Sequence, residues 1–176
     1  FLPFISIIEN LSIQKELQIK DDYRTKNNEK LQQIFFPLNE KTSFRINQKF
    51  REFTRGINKE SKIVTTKGRN FVINNFYSGI ARLKFKDLCD NNLGAEDYIN
   101  ISNFCKHIFI EQIPKFNNEN SNQQLRFITM IDIFYEKKIR LTLSIEENLD
   151  NLSSSNKHSE VFKRTISRMF EMTKSP

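Results

Sequence analysis

The amino-acid sequence predicts a mixed α/β fold with a C-terminal βαβ unit and flanking helices. The main evidence is a strand, helix and strand pattern between His107 and Ile145, together with a hairpin pattern around Lys67-Gly68. Four glycines and four prolines in 176 residues are too few for the tight turns of an all-β barrel or sandwich. Seventeen phenylalanines can fill a sizeable core.

In the first half, short apolar runs surround one basic segment. Two runs typical of strands, Ile63–Thr66 and Arg69–Ile73, flank Lys67-Gly68, and glycine tolerates the positive φ of a tight turn, so a hairpin is expected there. We predict helices over residues 1–11, a basic helix over Thr42–Thr54 that ends near Gly56, and a helix over Ala95–Phe104. We predict strands over residues 16–20, 31–38, 63–66, 69–73 and 81–85.

In the second half, the apolar run His107–Ile110 predicts a buried strand that ends before Pro114. An Asn-rich loop follows, and Ser121 with Gln124 predicts a capping box for a helix that ends near Lys137. Residues 139–145 alternate, which predicts a strand with one covered face. A parallel pair with a right-handed crossover is the expected arrangement. Ser159 should cap a final helix with these residues inward: Phe162, Ile166, Met169 and Phe170.

Composition excludes several classes of protein. With 38% hydrophobic and 28% charged residues, the chain is neither disordered nor fibrous. Its apolar runs fall far short of the roughly eighteen residues of a spanning helix, and residues 1–8 lack the features of a signal peptide. Cys89 and Cys105 are interpreted as free buried thiols. Because the chain opens at Phe1 in an uncapped helix pattern, we interpret it as a fragment.

The formal net charge of +7 lies entirely in the first half, where residues 1–88 hold 17 basic and 9 acidic side chains. Four basic residues recur at helical spacing around phenylalanines, which predicts a basic face on an amphipathic helix: Arg45, Lys49, Arg51 and Arg55. One interpretation is an anion-binding face for nucleic acid, acidic lipid or an acidic partner. The alternative, a solvated surface, is favoured because Phe, Ile, Asn and Lys, all with A/T-rich codons, make up 77 residues.

Catalytic signals are absent or weak. No two glycines have the spacing of a Walker A phosphate loop. Glu111 ends an apolar strand as a Walker B acid would, but Gln112 follows it and the expected aspartate is missing. Cys105 and His107 have no third group to form a nucleophile, and a zinc site would need distant ligands. We therefore predict no catalytic and no metal-binding residue.

Two groups of polar residues leave alternatives open. On the predicted helix over 121–137, four polar residues form one stripe: Arg126, Thr129, Asp132 and Glu136. We predict a solvated face there, in preference to a face toward another domain or a nucleotide. In the last helix, Glu160 with Arg164 and Arg168 with Glu171 have the spacing of local ion pairs, which we favour over anion sensing.

Several motifs resemble those of one known family. The sequence is similar in order and spacing at Asp22-Tyr23-Arg24, Gly79, Leu88-Cys89, Gly94, Asp97-Tyr98, Ile113-Pro114, Arg126-Phe127-Ile128, Asp132, Tyr135, Ser144 and the run from Arg164 to Met172. Together they resemble the ZapE/LACE-type P-loop ATPases, a branch of the AAA+ superfamily found in bacteria and mitochondria. The resemblance spans nearly the whole chain and is weakest over residues 25–75. Leu125 stands where that family usually has a second arginine.

The resemblance implies that residues 1–28 are the tail of an AAA+ nucleotide-binding core and residues 29–176 a C-terminal α/β region. ATP and Mg²⁺ would be bound by the intact parent and by no part of this fragment alone. By analogy with other AAA+ proteins, an arginine of the C-terminal region reports the γ-phosphate, with the candidates ranked Arg168, Arg164 and Arg126.

The resemblance also implies partners and a location. The expected partners are the N-terminal P-loop core, a client or cell-division protein, and further copies in a homo-oligomer. Nucleic acid is a partner that we do not favour. The location implied is the cytoplasm of a bacterium, or mitochondria in a eukaryote. The rival hypothesis is a non-enzymatic basic module that binds nucleic acid or an acidic protein.

Overall fold

The computed structural model describes residues 33–174. The described residues belong to one compact unit. The helix predicted over residues 1–11 and the strand over residues 16–20 lie outside the described residues. The sequence-based boundary between residues 28 and 29 stays a prediction.

Six strands and five α-helices make up the described region. The strands are β1 (Ile34–Phe35), β2 (Glu60–Thr66), β3 (Arg69–Tyr77), β4 (Ile80–Lys84), β5 (His107–Ile113) and β6 (Arg140–Ile145). The helices are α1 (Glu40–Thr54), α2 (Phe85–Cys89), α3 (Ala95–Ser102), α4 (Ser121–Glu136) and α5 (Ser159–Met172), with 3₁₀ turns at Leu149–Asn151 and Asn156–His158. Within residues 33–174, no helix combines the length and apolarity needed to cross a membrane.

The strands form one mixed sheet in the order β1-β6-β5-β4-β3-β2. Strands β1, β6, β5 and β4 are parallel, whereas β3 and β2 are antiparallel. The predicted βαβ unit is therefore confirmed as β5-α4-β6. The mixed α/β fold class is confirmed as well.

Two tight turns build the antiparallel edge of the sheet. The predicted hairpin is confirmed, with Lys67 at φ 48° and Gly68 at φ 79°, the signs that a type I′ turn requires. A second turn at Ser78 (φ 44°) and Gly79 (φ 90°) joins β3 to β4, which the sequence analysis missed. Strand β4 therefore begins at Ile80, one residue earlier than predicted. Phe85 is the first residue of α2, whereas it was predicted to be the last residue of the strand.

The two faces of the sheet bury different cores. Helices α2 to α5 cover one face, where Ile108 and Ile110 of β5 and Leu141 and Leu143 of β6 are fully buried. Among residues 33–174, α1 covers the other face, through a smaller cluster of Phe35, Ile46, Phe50 and Phe109. Since side chains alternate along a strand, β5 contributes side chains to both cores.

Helix α1 is fixed to its face by aromatic and polar contacts. Phe50 packs edge-on against Tyr77 and Phe109, with ring centroids 5.4 Å and 5.0 Å away. Arg82 of β4 lies over the Phe50 ring and donates hydrogen bonds to Glu111 of β5 and Asn47 of α1. The guanidinium thus links two strands to the helix.

Two capping predictions are wrong. Ser121 is the first helical residue of α4, and no side-chain hydrogen bond caps the helix. Gln124 is buried and bonds to Ser154 and Ser155 of the loop before α5, because that loop packs over the first turn of α4. Ser159 likewise begins α5 and does not cap it.

Strand β6 is buried on both sides, whereas the alternating pattern predicted one covered face. Thr142 and Ser144 are buried on the α1 side. Thr142 donates a hydrogen bond to Gln33 and accepts one from His107 Nε2 at 2.8 Å, and the Gln112 N–H donates to Ser144 Oγ at 3.0 Å. Polar residues are tolerated in this layer because each has a partner.

We predict that Phe50→Ala lowers the free energy of unfolding by about 3–5 kcal/mol, because it empties the centre of the α1 layer. Phe44→Ala on the same helix is the matched control. Phe44 is 69% exposed whereas Phe50 is 6% exposed, so the control should change stability by less than about 0.5 kcal/mol. Urea unfolding of both variants measures the difference, and equal losses would contradict this account of the layer.

We also predict a pH dependence that arises from His107. Burial, with a smaller effect of Arg140, lowers the pKa of His107 to about 4. Below pH 6.5 the unfolded chain therefore takes up a proton at this imidazole that the folded protein does not, so stability is full above pH 6.5 and falls toward pH 4. The expected loss is at most about 3 kcal/mol.

The control for this prediction is His107→Gln, which keeps a donor near Thr142 but has no proton to gain. Unfolding free energies of the two proteins should diverge in favour of the variant as the pH falls from 6.5 to 4. If the difference in unfolding free energy stays constant over this range, the pKa of His107 is the same in the folded and unfolded states, which would contradict the prediction.

Candidate functional site

The three arginines predicted to sense nucleotide lie on helices α4 and α5, but the structure brings only two of them together. Arg126 of α4 donates hydrogen bonds to the Cys89 carbonyl at 2.9 Å and to Asn92 Oδ1 at 3.3 Å. It therefore joins α4 to the end of α2. Arg164 and Arg168 of α5 converge instead on Asp132, nearly two turns further along α4.

Asp132 accepts from both arginines of α5. Arg164 Nη2 lies 2.9 Å from Asp132 Oδ2, and Arg168 Nη1 bonds the other carboxylate oxygen. Arg168 Nη2 also lies 3.7 Å from Glu136. We call these four residues, with Tyr135 and Glu171, the arginine cluster.

Tyr135 and Glu171 complete the arginine cluster on the side of Arg168. The Arg168 guanidinium lies 4.8 Å from the Tyr135 ring centroid, which is cation–π geometry. The Tyr135 hydroxyl donates to Glu171 Oε2 at 2.8 Å, and this hydrogen bond to the carboxylate raises the pKa of Tyr135. Arg168 is therefore held by three neighbours, whereas Arg164 is held by one.

The two arginines differ in access to solvent. The Arg164 side chain is 60% exposed and the Arg168 side chain 20% exposed. An exposed guanidinium with one partner can leave that partner at low cost, since surface ion pairs contribute at most about 1 kcal/mol. Arg164 is thus the more exposed cation, and Arg168 has more contacts within the described residues.

The local ion pairs predicted within α5 are wrong. Glu160 pairs with Lys163 at 2.8 Å, and Glu171 accepts from Tyr135. Arginine side chains are long enough to reach the neighbouring helix, where Asp132 offers both carboxylate oxygens.

The polar stripe of α4 is more than a solvated face. Arg126 and Asp132 bond to α2 and α5, while Thr129 Oγ1 donates back to the Leu125 carbonyl at 3.0 Å. The prediction of a solvated face is wrong for Arg126 and Asp132. Whether a nucleotide or another domain also meets this stripe stays a prediction.

The four anion-binding candidates of α1 do not form one face. Arg45 lies 5.0 Å from the Phe35 ring centroid, and Lys49 lies 5.5 Å from that of Phe53 and 3.1 Å from a Glu52 oxygen. At about 100° per residue, Arg51 falls on the far side of the helix from these two. Arg55 follows the last helical residue. Anion binding by this set stays a prediction.

The described residues do not fit a nucleotide–magnesium site. Among residues 33–174, no three histidine, cysteine, aspartate or glutamate side chains are grouped so as to hold a metal. Glu111 is paired with Arg82 and is largely buried, so its carboxylate is already engaged. Because the glycine spacing of a phosphate loop is also missing from the sequence, we derive no hydrolytic step from these residues.

The cysteines have no activated environment. Both are buried and free. Burial raises the pKa of Cys89, and it raises the pKa of Cys105 to about 12, so neither thiol ionises near neutral pH.

A polar junction that the sequence analysis missed holds the hairpin against α3. Asp97 is buried and accepts from the Gly94 N–H at 2.8 Å and from Arg69 Nη2 at 3.0 Å. An aspartate three residues after a glycine that opens a helix was the available signal. The contact between Asp97 and Arg69, which lies 28 residues earlier in the chain, could not be predicted from the sequence pattern.

Most motif residues behind the family resemblance contact one another or fix a turn. The Tyr98 hydroxyl donates to the Leu88 carbonyl at 2.9 Å, Arg126 binds the next carbonyl, and Asp132 binds the arginines of the last motif. Gly79 accepts from the Lys106 N–H at 2.7 Å in the turn before β4. The motifs therefore position α2, α4 and α5 as one packed unit.

Comparison with known proteins extends this observation. A family model described as AFG1-like ATPase matches residues 1–176. Lactation elevated protein 1 homolog B of Danio rerio is 26% identical over 155 residues, which are 86% of this chain and 31% of that protein. Cell division protein ZapE of Escherichia coli K12 is 23% identical over 172 residues, which are 98% of this chain and 46% of that protein.

A third relative, uncharacterized protein C115.02c of Schizosaccharomyces pombe, is 30% identical over 79 residues, which are 45% of this chain and 17% of that protein. No solved structure matches. The chain spans about a third to a half of the length of the first two relatives. Because the family match covers every residue from 1 to 176, the chain belongs to the AFG1-like ATPase family.

Proposed function

We propose that this chain is the C-terminal part of an ATP-hydrolysing motor of the ZapE/LACE type. Two observations support this: the chain covers 31% to 46% of its relatives, and its sequence lacks a phosphate loop. The loop, the Mg²⁺-binding acids and the first sensor would lie in the rest of the longer protein. That protein would act on other proteins, in division or in protein quality control, in the bacterial cytoplasm or in mitochondria.

The arginine cluster is the observation that carries the proposed role of this chain. It holds two guanidinium groups on a single aspartate at the surface of α4 and α5. A nucleotide γ-phosphate offers a guanidinium several anionic oxygens in place of one carboxylate. Phosphate binding would draw Arg164 away from Asp132, and the change would reach α4 through that side chain.

Arg168 fits the role of a positioning residue for Arg164. Its contacts with Asp132, Glu136 and Tyr135 hold α5 at a fixed rotation against α4. This refines the order expected from the sequence, in which Arg168 preceded Arg164. Arg126 donates a hydrogen bond to the Cys89 carbonyl, so it remains last in this ranking of nucleotide-sensing candidates.

We predict that Arg164→Ala lowers ATP turnover by the longer protein at least about tenfold, since a guanidinium that stabilises transition-state charge contributes this much or more. Arg168→Ala should lower turnover as well, because it removes the residue that positions Arg164. Lys163→Ala is the matched control, because Lys163 is exposed and its one ion pair within residues 33–174 is with Glu160. Steady-state hydrolysis with purified proteins measures the effect. Unchanged turnover in both variants would reject the role of the cluster. An inactive parent protein would reject the proposed ATPase activity.

We predict that Asp132→Asn lowers the free energy of unfolding by about 1–3 kcal/mol, because Arg168 loses the carboxylate that faces it. The control is Glu160→Gln, whose carboxylate is 82% exposed and should contribute less than about 0.5 kcal/mol. Chemical denaturation of the 176-residue chain measures both changes. A loss for Asp132→Asn no larger than that of the control would show that the cluster does not hold α4 to α5.

A further inference from the structure

A groove opens inside the sheet where β3 separates from β4. Between β2 and β3 the register shifts, so that Glu60 pairs with Phe76 but Lys62 pairs with Ile73. The extra residue on β3 is a β-bulge, which bends a strand and increases its twist. As a result β3 pairs with β4 only at Phe76 and Tyr77.

The bulge leaves part of β3 without a partner on the side of the groove. In a two-residue hairpin the residues flanking the turn form a hydrogen-bonded pair, here Thr66 and Arg69. Hydrogen bonds to β2 then alternate, and the N–H and C=O groups of Asn70 and Val72 point away from β2. Within residues 33–174, no strand pairs with that side of these two residues.

The groove has the size and lining for a strand. Two adjoining cavities of about 470 Å³ and 260 Å³ follow this edge of β3 and share Phe71 and Asn91. Amide side chains line them, including Asn74 and Asn92, and amides can donate to and accept from a peptide backbone. The charged residues at the wide end are balanced in number, with Arg82 and Lys84 against Asp87 and Glu111.

Apolar surface lies on both sides of the free edge. On one face of the sheet, Val72 is 43% exposed. Phe71 points to the opposite face, where Leu93 joins it in the lining of the smaller cavity. An added strand would place alternate side chains on these two surfaces.

Neither of the two residues whose backbone groups face the groove is charged or a proline. Natural edge strands are guarded by charged residues, prolines or a covering element. The groove side of β3 presents Asn70 and Val72, which are neutral. The outer edge of β2 differs, because Asn100 of α3 bonds to Thr66 Oγ1 at 2.9 Å and reaches the Thr65 carbonyl.

We infer that this groove binds an extended segment of a partner polypeptide, which adds to β3 as a strand. Recognition is through the backbone, with apolar side chains at alternate positions of the segment, and net charge plays little part because the lining is balanced. The inference goes beyond the proposed ATPase role, since binding at β3 requires no nucleotide. It assigns a function to a hairpin on which no other candidate residue lies.

The test uses the 176-residue chain without nucleotide and a fluorescein-labelled peptide of about eight residues, the length of an ordinary strand, that alternates valine with serine. Binding is measured by fluorescence anisotropy. We expect saturable binding that Val72→Pro weakens about tenfold, because proline removes the N–H that faces the groove and its ring fills the space of the added strand. That N–H makes no bond to β2, so the hairpin itself should remain intact.

Ile63→Pro is the matched control, because it removes an outward N–H from the opposite edge of the same hairpin and should leave binding unchanged. A peptide with N-methyl groups on alternate residues tests the unmodified protein, so the result does not depend on how a variant folds. We expect at least one of the two N-methyl registers to bind about tenfold more weakly.

Three results would overturn the inference. The first is no saturable binding of the peptide by the unmodified chain. The second is loss of binding with Ile63→Pro but not with Val72→Pro, which would place the site on β2. The third is a concentration-dependent dimer, seen by analytical ultracentrifugation, that Val72→Pro abolishes, since the groove would then be occupied by a second copy.

Discussion

Strand β5 carries apolar side chains on both faces, and the rest of the fold is arranged to cover them. Ile108 and Ile110 lie under the four-helix layer, and Phe109 lies under α1. Burying both faces of a strand requires a layer on each side, which is why parallel strands occur in sheets covered by helices. Among the described residues, α1 covers the second face through the cluster of Phe35, Ile46, Phe50 and Phe109.

The arginine cluster depends on the same arrangement. Both α4 and α5 follow parallel strands or their loops on one face, so they lie side by side and their polar edges meet at the surface. Asp132 is placed where two arginines of α5 can reach it. A single carboxylate between two cations is an arrangement that a stronger anion can displace, which links the packing of this layer to the proposed response to nucleotide.

Much of the fold could be predicted because its signals are local. The turn at Lys67-Gly68 needs positive φ, and the βαβ unit shows a change from strand to helical periodicity and back. The turn at Ser78-Gly79 was missed, although it also places two consecutive residues at positive φ. Ser121 and Ser159 matched a capping pattern. For Ser121 the pattern failed because the loop before α5 covers the first turn of α4, and the Ser155 N–H of that loop donates a hydrogen bond to Gln124. The pattern carried no information about that loop.

The sequence by itself determined the family motifs, the positions of most helices and strands, and the absence of a phosphate loop, because each depends on the order and spacing of nearby residues. Only the tertiary structure decided which charges meet. Arg164 and Arg168 form ion pairs with Asp132 of α4 and not with glutamates of α5, because their long side chains can reach a well-placed carboxylate on the neighbouring helix. It also decided that β3 leaves β4 after two residue pairs, because a bulge is visible only once the register with β2 is known.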